Sequence, residues 1–442
     1  MIATEALTVV APIAGGADEV ARLRDRLRTI QDDLLGKRGT NQVFLPAQLP
    51  DTHFMRLVIV DDTHGGGELA PLLAWESNHD GTTDDYLRKV AREAARPDRC
   101  LDLDAVFGAC AGYPTGGVRD VDGFVAWMRR HAVRAEAFYC AYPGVTKQRV
   151  DHDRRLHDEI RTFLDAERPR LVGAAGVVVH DRVVEHLRGR GLDVSRPVDG
   201  AGARWWRTVL RLIPIAVALL LTWPLWLPIV AYLWFWKLPR LEATDKPATY
   251  HRPVHGAPDL IAAEDHIVQN QLTHLVDIKP GWARYVILRL VLCGIDTLAR
   301  LYFVHGNLGG ITSIHFARWV IIEDRRPRRD VRVRRHRLLF FSNYDFSWDS
   351  YLGEFVDRAA RGLTAVWSNT VGFPRTRKLL EDGARDEERF KQWARDQQLR
   401  TDVWWSGVAD ATVDNVRAAL AIRDGLATRP DYEELTRWLR RL

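Results

Sequence analysis

HFMRLVIVDD, residues 53–62, returns later in the chain as HFARWVIIED, residues 315–324. Both copies open on His-Phe, carry arginine at the fourth position, and run through aliphatic residues into an acidic end. An apolar run of this length, rich in β-branched side chains, reads as a buried strand. Its recurrence makes an internal repeat the first question for the rest of the chain. Upstream, LTVVAPI from Leu7 matches LTHLVDI from Leu272. Downstream, LLAWESNHDGTTDDYL matches LLFFSNYDFSWDSYL, and AVFGACAGYP (Ala105–Pro114) matches AVWSNTVGFP (Ala365–Pro374). A last pair, AFYCAYPGVTKQRV and VWWSGVADATVDNV, completes five blocks in one order. The chain is a tandem duplication.

Within each copy the expected order is strand, helix, strand, strand, helix, strand, with a trailing helix. In the first copy Leu7–Ile13 forms a strand and Ala17–Leu35 an amphipathic helix. Thr82 or Thr83 caps a helix running to Ala95, with Asp84 and Asp85 favourable in its first turn. Ala135–Tyr142 supplies the fourth strand and Val145–Leu164 the trailing helix. The fold class is therefore α+β: two ferredoxin-like βαββαβ repeats. Residues 5–165 form the first repeat, 166–203 a connector, 204–240 an apolar anchor, 241–267 a proline-containing linker, 268–428 the second repeat, and 429–442 a basic C-terminal helix.

Two such units in one chain resemble the dimeric α/β-barrel superfamily, in which two sheets pack face to face. That superfamily includes dye-decolorising peroxidases and chlorite dismutases. The resemblance covers both repeats and implies a pseudo-dimeric α/β barrel, with haem as the cofactor to look for. The GxxDG motif of the dye-decolorising peroxidases is absent, and no histidine stands out as an axial ligand. Haem is therefore an analogy of fold.

Between the copies lies WWRTVLRLIPIAVALLLTWPLWLPIVAYLWFWKL, residues 205–238. Pro224 and Pro228 interrupt helical hydrogen bonding at its centre. The arms Trp205–Trp223 and Leu225–Leu238 then suit a membrane-inserted helical hairpin, because the second arm is short for a hydrocarbon core of about 30 Å. Arg204, Arg207 and Arg211 precede the stretch, and Lys237, Arg240 and Lys246 follow it. Basic flanks at both ends suit two ends on one cytoplasmic face. A single-pass helix with unpaired halves is the alternative. Trp282–Val304, which replaces the polar first helix of copy one, has an apolar face suited to the anchor or to a membrane interface.

The net charge is +5 and sixteen tryptophans are present, many near the apolar stretch. The cysteines, Cys100, Cys110, Cys140 and Cys293, show no CxxC pairing and no metal-ligand spacing, so reduced thiols in the cytoplasm are expected. The N-terminus lacks a basic n-region and a long apolar run, so no signal peptide is expected. Residues 323–337 carry Arg325, Arg326, Arg328, Arg329, Arg332, Arg334, Arg335 and Arg337, where copy one has the glycine-rich DDTHGGGE. Anionic lipid headgroups are the natural partner. Nucleic acid is less favoured because no aromatic platform accompanies the run. A solvated hairpin tip is the plain alternative.

For chemistry, antiparallel pairing brings His315 near Asn343 and Asp345, and His53 near Asn78 and Asp80. A His–Asp pair orients an imidazole for base catalysis or metal binding. Arg318 and Arg56 stand three residues after their histidines and so should point to the opposite sheet face. Because both copies share this set, a role in stabilising the fold competes with catalysis. Features confined to copy two are His305 and Asn307 in HGNLGG, Asn369 in place of Ala109, and Trp404 in place of Phe138. These are the candidates for holding a cofactor or a small apolar ligand, each weighed against a turn or core packing. Two functions are expected to compete. One is redox or binding work on an apolar or lipid-derived molecule; the other is a non-enzymatic membrane module that recruits a partner enzyme.

Overall fold

A four-strand and a five-strand antiparallel sheet are each completed by a strand from the other half of the chain. The first copy supplies β1 (Thr4–Pro12), α1 (Ala17–Leu34), β2 (Thr52–Val60), β3 (Leu72–Asp80), α2 (Thr83–Ala94), β4 (Ala135–Cys140) and α3 (Lys147–Leu171). Ala201–Leu221, Trp223–Tyr232 and Leu238–Ala243 follow as α4, α5 and α6. The second copy supplies β5 (Gln269–Asp277), α7 (Trp282–Leu301), β6 (Ile314–Glu323), β7 (His336–Asp345), α8 (Trp348–Trp367), β8 (Gln398–Leu399), β9 (Val403–Ser406) and α9 (Val413–Ala427). The computed structural model describes residues 4–35, 49–61, 70–96, 103–195, 201–246, 258–264, 268–302, 308–323, 335–427 and 431–442.

The first sheet has the order β1-β3-β2-β9, and the second has β8-β5-β7-β6-β4. β4 leaves its own copy and pairs with β6, setting Phe138 opposite Arg318. β9 makes the reciprocal move, setting Trp404 opposite Arg56 on β2. Just before each crossing the chain touches its own sheet: Val133 N donates to Thr8 O, and Leu275 N donates to Gln397 O. The ladder is not continuous at these corners, so no barrel closes, contrary to the sequence expectation. The strands belong to an α+β fold of facing antiparallel sheets.

Alternation along the strands explains the cores. Met55, Leu57 and Ile59 turn outward on β2 and pack with Leu23, Leu27 and Leu87 of α1 and α2. Val58 and Val60 turn inward and meet Val320, Ile322, Leu339 and Phe341 of the second sheet. Thr82 caps α2 by accepting Asp85 N, and Ser347 caps α8 by accepting Ser350 N. α3 continues to Leu171, past the boundary drawn at residue 165; its buried residues Leu156 and Ile160, earlier in the helix, pack against Ile422 and Leu426 of α9.

The apolar stretch bends through 82° at Thr222 between α4 and the arm that follows it. It makes a right-angled elbow where a closed hairpin was expected. Thr222 Oγ1 donates to Ala218 O, and Trp226 Nε1 donates to Leu219 O, which fixes the corner. Pro224 opens the second helix, where its missing N–H costs nothing. Among the described residues no single helix is long and apolar enough to cross a membrane.

Candidate functional site

Both histidines sit in β-bulges. On β2 the register steps from Thr52↔His79 to Phe54↔Asn78, leaving His53 as the extra residue. On β6 it steps from Ile314↔Tyr344 to Phe316↔Asn343, leaving His315. A bulge re-aims a side chain, and here it overturns the expectation that histidine and arginine take opposite faces. His53 lies against the Phe316 ring at 5.3 Å, and His315 against Phe54 at 5.2 Å. Arg56 and Arg318 also reach across the same inter-sheet space.

Each histidine pairs with its aspartate. His53 Nε2 is 3.0 Å from Asp80 Oδ1, and His315 Nε2 is 2.8 Å from Asp345 Oδ1. The second carboxylate oxygen holds the start of the trailing helix: Lys147 N donates to Asp80 Oδ2, and Val413 N to Asp345 Oδ2. His315 is further committed, with Nδ1 3.1 Å from the Tyr142 hydroxyl and Nε2 3.3 Å from Gln269 Nε2. The consistent assignment is Nε2–H donating to Asp345 and Nδ1 accepting from Tyr142. His53, His315 and Asp345 are 0%, 0% and 2% exposed, so these dyads are posts inside the fold.

The arginines carry the inter-lobe contacts. Arg56 donates to Leu272 O at 2.8 Å, to Ser342 O at 2.9 Å and to Asn343 Oδ1 at 2.7 Å. Arg318 mirrors this, donating to Leu7 O at 2.6 Å, to Ser77 O at 3.0 Å and to Asn78 Oδ1. Glu76 lies between them, 2.5 Å from Arg56 Nε and 3.2 Å from Arg318. Burial lowers Arg318 to about 10, against the raising effect of Glu76. Phe341 stands in copy two where copy one has Glu76, and Arg56 lies over its ring at 5.1 Å. Two buried guanidiniums thus share one carboxylate. Aligning LLAWESN with LLFFSN exposes that lone acid, but the sequence reading passed over it.

Trp404 joins this centre, with Nε1 donating to Asn343 Oδ1 at 2.9 Å. Asn369 does not. It is fully buried just after α8 and donates to Ala365 O, so it closes a helix end as an interior polar group away from the arginines. His305 and Asn307 lie outside the described residues, as do Arg325, Arg326, Arg328, Arg329, Arg332 and Arg334. Arg335 pairs with Asp277, and Arg337 is buried in β7. Arg337 belongs to β7, which begins at His336, and Arg335 stands just before that strand.

A haem would need an imidazole nitrogen to spare. His315 has both nitrogens engaged, and the space it faces is filled by Phe54, Tyr142 and Phe316. His315 therefore does not fit that group, and His305 lies outside the described residues. Among the described residues no group of three His, Cys, Asp or Glu side chains is placed to hold a metal ion.

One open pocket of about 440 Å³ adjoins Asp345 in the second lobe, lined by Ser313, Ser350, Glu354, Arg358 and Thr412 among others. Glu354 accepts from Ser313 Oγ and from Thr312 N. Copy one has Asp51 in place of Ser313 and Lys89 in place of Glu354, and those two form an ion pair.

The chain matches no family model, no curated protein and no solved structure.

Proposed function

We propose that the protein is a membrane-attached, two-lobed module, its folded parts on the cytoplasmic side, that recruits a partner to the bilayer. In this reading the two ferredoxin-like units pair as a pseudo-dimer of the dimeric α/β-barrel kind, and the buried histidines and arginines hold the lobes together. The observation that carries it is the apolar elbow. Leu220, Leu221 and Leu225 are 72%, 75% and 73% exposed, and most large apolar side chains between Leu210 and Trp236 are exposed with them. A continuous apolar surface on that scale marks an interaction site.

The elbow is mounted firmly. Leu238 is buried with Ala365 and Leu379. Glu242 accepts from Thr376 Oγ1, Lys378 N and Leu379 N. Asp245 bridges Lys279 and Arg284, each at 2.7 Å. A mount of this kind suits an element that bears load between the second lobe and a bilayer.

The test is flotation of the full chain with phosphatidylcholine vesicles. Wild type is expected to float with the lipid, and Leu221→Asp with Leu225→Asp to remain behind while keeping its circular dichroism. Protein that stays in solution regardless of the variant would end the reading.

Ligand binding has one observation in its favour, the pocket beside Asp345, which copy two opens and copy one fills with an ion pair. Its hydroxyls and carboxylates suit a small polar molecule, where the sequence suggested an apolar one. A thermal-shift screen comparing wild type with Glu354→Gln tests it.

A further inference from the structure

We infer that the outer face of α7 is a second membrane-contact surface, which lays the second lobe flat on an anionic bilayer beside the elbow. The inference rests on the membrane reading above and adds its geometry.

Successive turns of α7 present different faces. Leu288 and Leu292 are buried in the second lobe. Ile287 and Val291 pack with Trp234 and Leu238 at the root of the elbow. One step further round, Trp282, Val286, Leu290, Leu298 and Tyr302 stand exposed, from 37% at Val286 to 72% at Tyr302. They follow one another at steps of four residues, interrupted only at Gly294, along one ridge of the helix. The stripe therefore continues the apolar surface of the elbow across a packed junction. On its other border lie Arg289 and Arg300, with side chains 52% and 54% exposed, beside Glu136 at 3.4 Å and Asp296 at 2.8 Å. An apolar stripe edged by arginine suits lipid acyl chains below and anionic headgroups alongside.

The duplication supplies an internal control. α1 occupies the same place in copy one and buries Leu23, Leu27 and Ile30 in the same way. Its exposed residues, however, are Ala17, Asp18, Ala21, Arg22, Asp25, Arg26 and Arg28, none of them large and apolar. Core packing cannot account for the difference, since both helices pack on a sheet. Only the copy that carries the elbow has the apolar outer face.

Cys293 lies on the exposed stripe and serves as a reporter. In a Cys100→Ser background its thiol is labelled with a nitroxide, and collision with oxygen is compared with collision with a water-soluble nickel chelate. The lipid is phosphatidylcholine with and without phosphatidylserine. On phosphatidylserine-containing vesicles the label is expected to become oxygen-accessible and shielded from nickel. Leu290→Glu is expected to weaken binding about tenfold, the scale of one buried leucine. A Cys293 label that stays in water, while a label at Leu225→Cys enters lipid, overturns the inference and leaves the membrane reading standing. Both labels staying in water overturns both.

Discussion

Arg56 and Arg318 cross between the sheets as mirror images, each donating to main-chain carbonyls and an asparagine of the opposite lobe. The symmetry stops at Glu76, which serves both, since the equivalent position in the second lobe is a phenylalanine. The centre of the protein therefore holds two cations and one anion in a region without solvent. Buried charges of this kind are strongly destabilising when one partner is removed. The mutual arrangement explains why the set is repeated in both copies: it belongs to the joint between lobes.

Glu76→Gln should cost about 3–5 kcal/mol, because it strands two desolvated guanidiniums. Urea unfolding followed by circular dichroism measures it. Glu76→Leu combined with Arg318→Met should cost less than the sum of the single changes, because the excess cation leaves with its counter-ion. Strict additivity would mean the three groups are not coupled.

His79 makes the first lobe acid-sensitive. Burial, with Arg318 and His53 nearby, lowers it from 6.5 to about 3. The folded state thus keeps it neutral, while the unfolded chain binds a proton below 6.5. Its contribution is present above that value and is lost as pH falls toward about 3, by at most about 5 kcal/mol. Tyr344 stacks on Tyr351 at 3.8 Å as His79 stacks on Tyr86 at 4.0 Å. His79→Tyr should therefore keep the stack and flatten the stability profile below pH 6.5.

Asp402 has the opposite slope. It accepts Ile59 N at 2.8 Å where β9 joins the first sheet, and burial raises it from 3.8 to about 6. The folded state holds the proton more tightly than the unfolded one between those values. Stability from this group therefore falls as pH rises from about 4 to about 6 and is flat above, by about 3 kcal/mol at most. Asp402→Asn keeps an acceptor for Ile59 N and should raise stability at neutral pH. An unchanged or lowered melting temperature at pH 7 would mean that the ionised carboxylate is not under strain there.

Glu242 is the fastening of the elbow to the second lobe. Glu242→Ala removes acceptors for three donors, about 1.5–3 kcal/mol of local stability. Tryptic cleavage at Lys237 or Arg240 should rise about tenfold or more while global unfolding stays nearly constant. Equal losses in both measurements would make the elbow part of the cooperative core.

Much of this architecture could be read from five repeated blocks, since each copy's strands and helices follow their apolar period. The His–Asp pairs were readable too, because antiparallel pairing sets strand ends together. Parity failed at His53 and His315, where one inserted residue turns a side chain over without changing the residue pattern. The angle at Thr222 was hidden as well, since two prolines announce a break but not its direction. Exchange of β4 and β9 left no trace, because Phe138 and Trp404 suit the edge of either sheet equally.

That exchange yields the most direct test of the fold. Residues 1–195 contain β4 but lack β9, so the edge of β2 would be bare and the acceptors Leu272 O and Ser342 O of Arg56 would be missing. Residues 201–442 have the converse defect at β6, with Arg318 left without Leu7 O and Ser77 O. An unpaired edge with an unsatisfied buried cation favours aggregation over folding. Each fragment expressed alone should be insoluble or molten. Co-expressed, the two should assemble into a one-to-one complex, in detergent if the elbow requires it, with proton chemical shifts dispersed as in the intact chain. A fragment that folds by itself with native stability would show that its fourth strand pairs within its own copy.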